Sequence, residues 1–268
     1  MIVAGLQTDI AWEDPSANFE RVEVLAARAA AQGARLLVLP EMFATGFSMA
    51  APRISAHADE TRVFLAELAR RHAAWTLGGF AEPGEPRPHN ACALFDPAGT
   101  EVLHYQKVHP FSLAGEHTHY SGGSSLPSAV ADDIRLTAVI CYDLRFPELF
   151  RAAAAWTDLF LVIANWPEPR RGHWSTLLQA RAIENQAFVL GVNRVGRGDG
   201  LEYAGDSALV SPLGEVLASA ARQPGIVLGS VSSADVAAAR SSFSFLADRR
   251  PALYAALASA EGGTDPTG

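Results

Sequence analysis

The sequence predicts an α/β protein folded around a mixed β-sheet. Apolar runs of strand length alternate with segments whose apolar residues recur at helical spacing. The middle of the chain also carries hairpin signals, which an all-parallel sheet would lack. A further regularity places chemistry on this frame. Four apolar runs end in a polar or reactive residue: LLVLP in Glu41, LTAVI in Cys141, LVIA in Asn165 and VLGV in Asn193. Open α/β sheets form their sites at the carboxyl ends of strands, so parallel strands would bring Glu41 and Cys141 to one edge.

Taken in order, Ile2–Thr8 reads as a strand. Asp14 offers an N-cap and Pro15 a first helical residue, for a helix reaching about Gln32 and closed by Gly33. ARLLVL (34–39) is apolar without alternation, which implies burial on both faces of a sheet. A helix over roughly 60–72 leads into a strand at 75–80. HNACALFD (89–96) and residues 101–106 flank the turn Pro97-Ala98-Gly99 as a hairpin. Strands at 136–140 and 159–164 are separated by a helix from about Pro147 to Trp156. Trp174, Leu177, Leu178, Arg181, Ala182 and Asn185 mark a further helix. Strands follow at 188–192, 207–211, 214–217 and 226–231. EGGTDPTG, from Glu261 onward, reads as a disordered tail, leaving 1–260 as one domain.

Composition narrows the class. A chain of 268 residues that is 49% hydrophobic can build one large core, and no Pro/Ser-rich linker divides it. A net charge of -8 argues against nucleic-acid binding. No apolar run is long enough to span a bilayer, and MIVAGLQTDIAW lacks signal-peptide features. Two cysteines, Cys92 and Cys141, make no disulfide framework, so a reduced, cytoplasmic protein is expected. Neither C-x-x-C nor H-E-x-x-H occurs, and no metal is expected; His117 and His119 in GEHTHY are read as loop-shaping residues.

Cys141 is either a small hydrophobe at a strand end or a nucleophile. The helix start Phe146-Pro147-Glu148 would favour the second by presenting its positive end to the thiol. Cys92, inside an alternating strand, is read as core packing. Glu41, Lys107 in HYQKVHPF and Glu116 in LAGEHTHY are each uninformative alone. Together, a thiol, a carboxylate base and a cation at strand ends are equipment for acyl transfer from an amide or nitrile.

LPEMFATGF around Glu41, YQKVHPF around Lys107 and CYDLRFPEL around Cys141 resemble, in order, the three motif regions of the nitrilase superfamily of carbon–nitrogen hydrolases. The resemblance runs from Val3 to about Tyr254 and includes NWP at 165–167 and SALVSPLGEVLA. It implies a four-layer α-β-β-α sandwich in a single domain, paired as a homodimer. It also implies that Glu41 is the general base, Cys141 the nucleophile, and Lys107 with the Tyr142 N–H the oxyanion donors. Glu116 maps onto the family's second glutamate and would orient Lys107 or the water. CYDLRFPEL, GEHTHY and DRRPALY look most like the omega-amidases of the 2-oxoglutaramate amidase type, although Pro110 stands where that branch commonly carries Leu.

The implied reaction hydrolyses the primary amide of a small dicarboxylic acid monoamide, such as 2-oxoglutaramate or 2-oxosuccinamate, through a thioester and without a cofactor. Asn165 and Trp166 are expected to line the pocket, with Phe43, Phe111 and Tyr142 as apolar walls. Arg170, or its neighbour Arg171, would meet the substrate carboxylate, while Asp143 and Arg145 would brace the nucleophile's turn. The expected partner is a small-molecule amide, not nucleic acid or membrane. An aliphatic amidase, an N-carbamoyl-amino-acid hydrolase or a nitrilase would use the same trio. A non-catalytic binding protein would have no need to keep it.

Overall fold

The computed structural model describes residues 1–261. Residues 262–268 of the expected tail lie outside the described residues, and Glu261 closes the last helix.

The expected mixed sheet is in fact two. In the first, β13 (Gly225–Ser230), β1 (Ile2–Gln7), β2 (Leu36–Val38), β3 (Trp75–Glu82), β4 (His89–Phe95) and β5 (Glu101–Gln106) lie side by side in that order. Strands β1, β2 and β3 are parallel, and the rest pair antiparallel. The second sheet runs β10 (Val195–Gly198), β11 (Leu201–Val210), β9 (Phe188–Asn193), β8 (Leu159–Ala164), β7 (Ile134–Ile140), β6 (Ser128–Ala131). Here β7, β8 and β9 are parallel, and β12 (Val216–Ala221) pairs with β11.

The period of two along a strand explains why the apolar runs do not alternate. Leu36 and Val38 face the layer between the sheets, whereas Leu37 and Leu39 face outward beneath helices. Those helices are α1 (Pro15–Ala31) and α3 (Ala58–His72), which bury Val22, Leu25, Ala26, Leu65 and Ala69 against the first sheet. Burying a side chain such as Leu37 stabilises the fold by about 1.5–3 kcal/mol, so both faces of β2 contribute. Helices α5 (Pro147–Ala153) and α6 (Arg171–Asn185) cover the other sheet with Phe150, Trp174, Leu178 and Ala182. The layers are therefore helix, sheet, sheet, helix.

Local signals behave as the sequence implies. The Asp14 carboxylate accepts the Ala17 N–H at 3.1 Å, ahead of Pro15. Gln32 and the positive-φ Gly33 end α1. Short helices α2 (Ala51–Ser55) and α4 (Glu116–His119) interrupt the connections, and α7 (Ser233–Ser242) and α8 (Pro251–Glu261) complete the chain. No helix among the described residues is long and apolar enough to cross a membrane.

Candidate active site

Glu41 reaches its position through the backbone. Pro40 ends the pairing of β2 because it has no N–H, and the chain is then held against β3. There the Gly79 N–H donates to the Pro40 carbonyl at 3.3 Å and the Phe43 N–H to the Gly79 carbonyl at 3.1 Å. A Cβ at position 79 would lie 2.8 Å from the Glu41 Cα and 2.9 Å from the Met42 nitrogen, so this approach requires glycine.

A buried carboxylate needs partners, and Glu41 has them. Lys107, at the end of β5, donates from Nζ to Glu41 Oε1 at 3.0 Å, and to Glu116 Oε1 and Oε2 at 3.1 and 2.8 Å. Asn90 on β4 donates from Nδ2 to Glu41 Oε1 at 2.7 Å and to Glu116 Oε1 at 2.8 Å. The Asn165 N–H donates to Glu41 Oε2 at 2.7 Å, and the Phe111 N–H to Glu116 Oε2 at 2.5 Å.

Counting lone pairs separates the two glutamates. A carboxylate offers about four acceptor positions, two on each oxygen. Both oxygens of Glu116 take two donors each, so it has no capacity left for a proton from substrate or thiol. Oε1 of Glu41 is likewise filled, by Lys107 and Asn90. Oε2 accepts only the Asn165 N–H among the described residues, leaving one position open. Glu41 is thus the carboxylate free to act as a base, and Glu116 is an anchor for Lys107 and the Phe111 backbone.

Cys141 opens a 3-10 turn, Cys141–Arg145, with φ of +48°, a left-handed conformation rare outside glycine. Strain of this kind persists only where surrounding contacts over-determine it. Buried Asp143 supplies them: its Oδ2 accepts the Ile140 N–H at 3.1 Å and the Tyr105 hydroxyl at 2.7 Å, and its Oδ1 accepts the His109 N–H at 3.0 Å. Since Tyr105 and His109 flank Lys107, one carboxylate ties the cysteine turn to the lysine segment. Arg181 on α6 donates from Nε and Nη2 to the Leu144 carbonyl, at 3.1 and 2.8 Å.

Electrostatics set the resting state. Burial raises the thiol's pKa well above the ordinary range, and the Glu41 carboxylate adds to that shift against Lys107. For Lys107, burial alone would lower the pKa, but Glu116 and Glu41 outweigh it and hold the ammonium protonated. Glu116 is raised by burial and by the charge of Glu41, with Lys107 opposing. Two carboxylates, one ammonium and a neutral thiol carry a formal charge of −1. Ionising Cys141 into solvent would make that −2 in a buried site, whereas moving its proton to Glu41 leaves it unchanged. The geometry therefore suits proton transfer concerted with attack, not a standing thiolate.

Cys141 opens onto a cavity of about 280 Å³. Tyr142, Asn165, Trp166, Phe111 and Arg170 line it, each as the sequence implies. Asn165 also donates from Nδ2 to the Glu41 carbonyl at 2.6 Å, and the Cys141 thiol lies 3.9 Å from the Asn165 carbonyl oxygen. Asn193, the fourth strand-end residue, braces the neighbouring wall: its Oδ1 accepts the Trp166 N–H at 2.7 Å.

Several expectations are corrected. Glu41 and Cys141 follow strands of different sheets, and they meet at one end of the sandwich, not at one sheet edge. The 3-10 turn stands between Cys141 and α5, so the positive end of that helix is not what adjoins the thiol. Phe43 is not a pocket wall: fully buried, it packs on Phe19 and Phe64 with ring centroids 6.0 Å apart in each case. Phe47 lines the cavity instead, its ring 5.2 Å from Lys107 Nζ. Arg171 turns away and pairs with Asp206 at 2.8 Å. Arg145 makes no ion pair among the described residues; its guanidinium lies 4.7 Å over Trp166 and lines the cavity. Asp143 does brace the turn, Cys92 is core, and His117 and His119 are exposed.

The chain matches the carbon–nitrogen hydrolase family over residues 2–241. It is 40% identical over 216 residues to Omega-amidase YafV of Escherichia coli (strain K12), covering 80% of this chain and 83% of that one. Its identity to the 2-oxoglutaramate amidase of Bacillus subtilis (strain 168) is 34% over 258 residues, with 94% and 98% of the two chains covered. Among solved structures, XC1258 from Xanthomonas campestris superposes with a TM-score of 0.88 at 33% identity, over 93% of this chain and 97% of that one. That protein is described as a CN-hydrolase superfamily member with an arsenic adduct in its active site. With a buried Glu–Lys–Cys cluster whose cysteine lines the cavity, and with these relatives, the chain belongs to the carbon–nitrogen hydrolase family of the nitrilase superfamily, on its omega-amidase branch.

Proposed function

We propose that this enzyme hydrolyses the primary amide of a small dicarboxylic acid monoamide, of the 2-oxoglutaramate or 2-oxosuccinamate kind, to carboxylate and ammonia. One observation carries the reading. The cavity that holds Cys141 also presents two guanidinium groups, Arg145 over Trp166 and Arg170 at 5.4 Å over Phe111, neither with a carboxylate partner among the described residues. Cations seated on aromatic faces at the wall of a small cavity suit a substrate carboxylate at the end remote from the amide.

The steps follow from the lone-pair count. Glu41 Oε2 accepts the thiol proton as sulfur attacks the amide carbon. One Lys107 N–H, turned from Glu116, and the N–H of Tyr142, the second residue of the 3-10 turn and so without an acceptor within it, meet the oxyanion. Glu41 returns the proton to nitrogen, the C–N bond breaks and ammonia leaves. Water then attacks the thioester, giving its proton to Glu41; the C–S bond breaks, and the thiolate takes the proton back. A nucleophile that must stay a thiol fits the reducing cytoplasm. The same reading treats residues 1–260 as one catalytic domain.

Ammonia release from a panel of amides, nitriles and N-carbamoyl amino acids tests the substrate class. Carboxylate-bearing monoamides are expected to lead, and a lead taken by nitriles or carbamoyl compounds would refute the assignment. Within that panel, Arg145→Glu is expected to raise KM for 2-oxoglutaramate by roughly ten- to a hundredfold, the weight of a hydrogen bond to a charged group. KM for an uncharged aliphatic amide should stay nearly constant. An unchanged preference would transfer the role to Arg170.

A homodimer belongs to the same proposal. Residues 251–259 of α8 are all exposed, with Leu253, Tyr254 and Leu257 among them, and Phe243 beside this segment is 70% exposed. A helix with that much uncovered apolar surface calls for a second copy. Light scattering at micromolar concentration is expected to give twice the chain mass; a monomer would contradict it.

A further inference from the structure

Asn90 joins Lys107 in touching both glutamates, and nothing in the motif pattern points to it. It lies near the start of β4 and is 1% exposed. Its backbone carbonyl accepts the Lys107 N–H at 2.8 Å, while its Nδ2 donates to Glu41 Oε1 at 2.7 Å and Glu116 Oε1 at 2.8 Å. Its Oδ1 is buried without a partner among the described residues. The orientation of the amide is nonetheless determined, because turning it over would set an amide oxygen against two carboxylates.

We propose that Asn90 is a positioning residue of the amidase reaction. By filling Glu41 Oε1 it leaves Oε2 as the open proton acceptor, and by bridging the glutamates it holds them on either side of Lys107. An unpartnered Oδ1 is a cost the fold would shed if only packing mattered, since an apolar residue of similar volume removes it. The inference rests on the chemistry proposed above, in which Glu41 is the base.

Two readouts test it in the full-length enzyme. In Asn90→Ala, kcat is expected to fall about ten- to a hundredfold, the weight of hydrogen bonds to charged groups, while KM changes little. Loss of donors to carboxylates favours their protonated form, so the acidic limb of the kcat/KM profile should move to higher pH. The other titratable groups facing the glutamates are Lys107 after β5, Cys141 after β7, Tyr120 after α4 and Tyr203 on β11. They are the same in both proteins, so the comparison isolates Asn90. The second readout is alkylation of Cys141 by iodoacetamide, which needs the base but no particular amide; at neutral pH it should slow in parallel.

Should the alanine variant fail to fold, Asn90→Ser retains one donor and is expected to lie between it and wild type. A variant with wild-type pH profile and alkylation rate, altered only in melting temperature, would overturn the proposal. If the wild-type enzyme released ammonia from no amide, the proposed function would fail, while the alkylation comparison would still judge Asn90.

Discussion

Replacing Cys141 with alanine is expected to abolish ammonia release, by on the order of 10⁵-fold or more, while leaving the fold intact. The loss is large because no other group can form the thioester. Glu116 is saturated with donors, and Cys92 lies in the core between the sheets, where burial holds its thiol neutral. The fold should tolerate the change because the thiol donates one long hydrogen bond among the described residues, 3.9 Å to the Asn165 carbonyl. Alanine suffers no more than cysteine from a φ of +48°. A stability change within about 1 kcal/mol, a few degrees in Tm, is expected. Residual turnover near wild type would refute Cys141 as the nucleophile.

Lys107→Met is expected to damage both rate and stability. Loss of one oxyanion donor alone costs about a hundred- to a thousandfold in kcat. Here the ammonium also separates two buried carboxylates, and removing one partner of a buried ionic set costs about 3–5 kcal/mol. The pH dependence has a definite sign. Burial and the charge of Glu41 already raise Glu116, and the lysine is what opposes them. Without it Glu116 rises further. A carboxyl raised on folding favours the folded state below its unfolded pKa and loses that contribution as pH rises through the folded value. The variant should therefore approach wild-type stability near about pH 4 and fall furthest below it at neutral pH. Thermal melts across pH, alongside kcat, check both halves; normal turnover in this variant would eliminate the electrophilic role of Lys107.

The parts of the structure legible in the sequence are those with a period or a punctuation mark. ARLLVL announces a strand buried on both faces, and Asp14-Pro15 announces a helix start. Strand-end polar residues announce where chemistry collects. What stays hidden is partnership. A period of two tells which residues of β2 share a face, but it does not reveal that β2 and β7 belong to separate sheets. Phe43 and Phe47 lie in a segment with no period, so nothing separates the one in the core from the one in the cavity. The left-handed turn at Cys141 is invisible because cysteine, unlike glycine, does not advertise positive φ.

Asn90 had a usable signal. In HNACALF it falls in phase with Cys92 and Leu94, which face the layer between the sheets. An amide at such an inward position has to find polar partners, and that phase points toward the buried glutamates. Arg145 is the opposite case: the sequence places it beside the nucleophile, but only the structure shows that it lines the cavity with no carboxylate partner among the described residues.

Acid-quenched mass spectrometry of the enzyme during turnover of 2-oxoglutaramate tests the central claim most directly. The peptide carrying Cys141 is expected to gain the mass of the acyl group, with ammonia already released, and the gain should be absent from the Cys141→Ala protein. Acylation of another residue, or of none while a burst of ammonia appears, would contradict the thioester at Cys141.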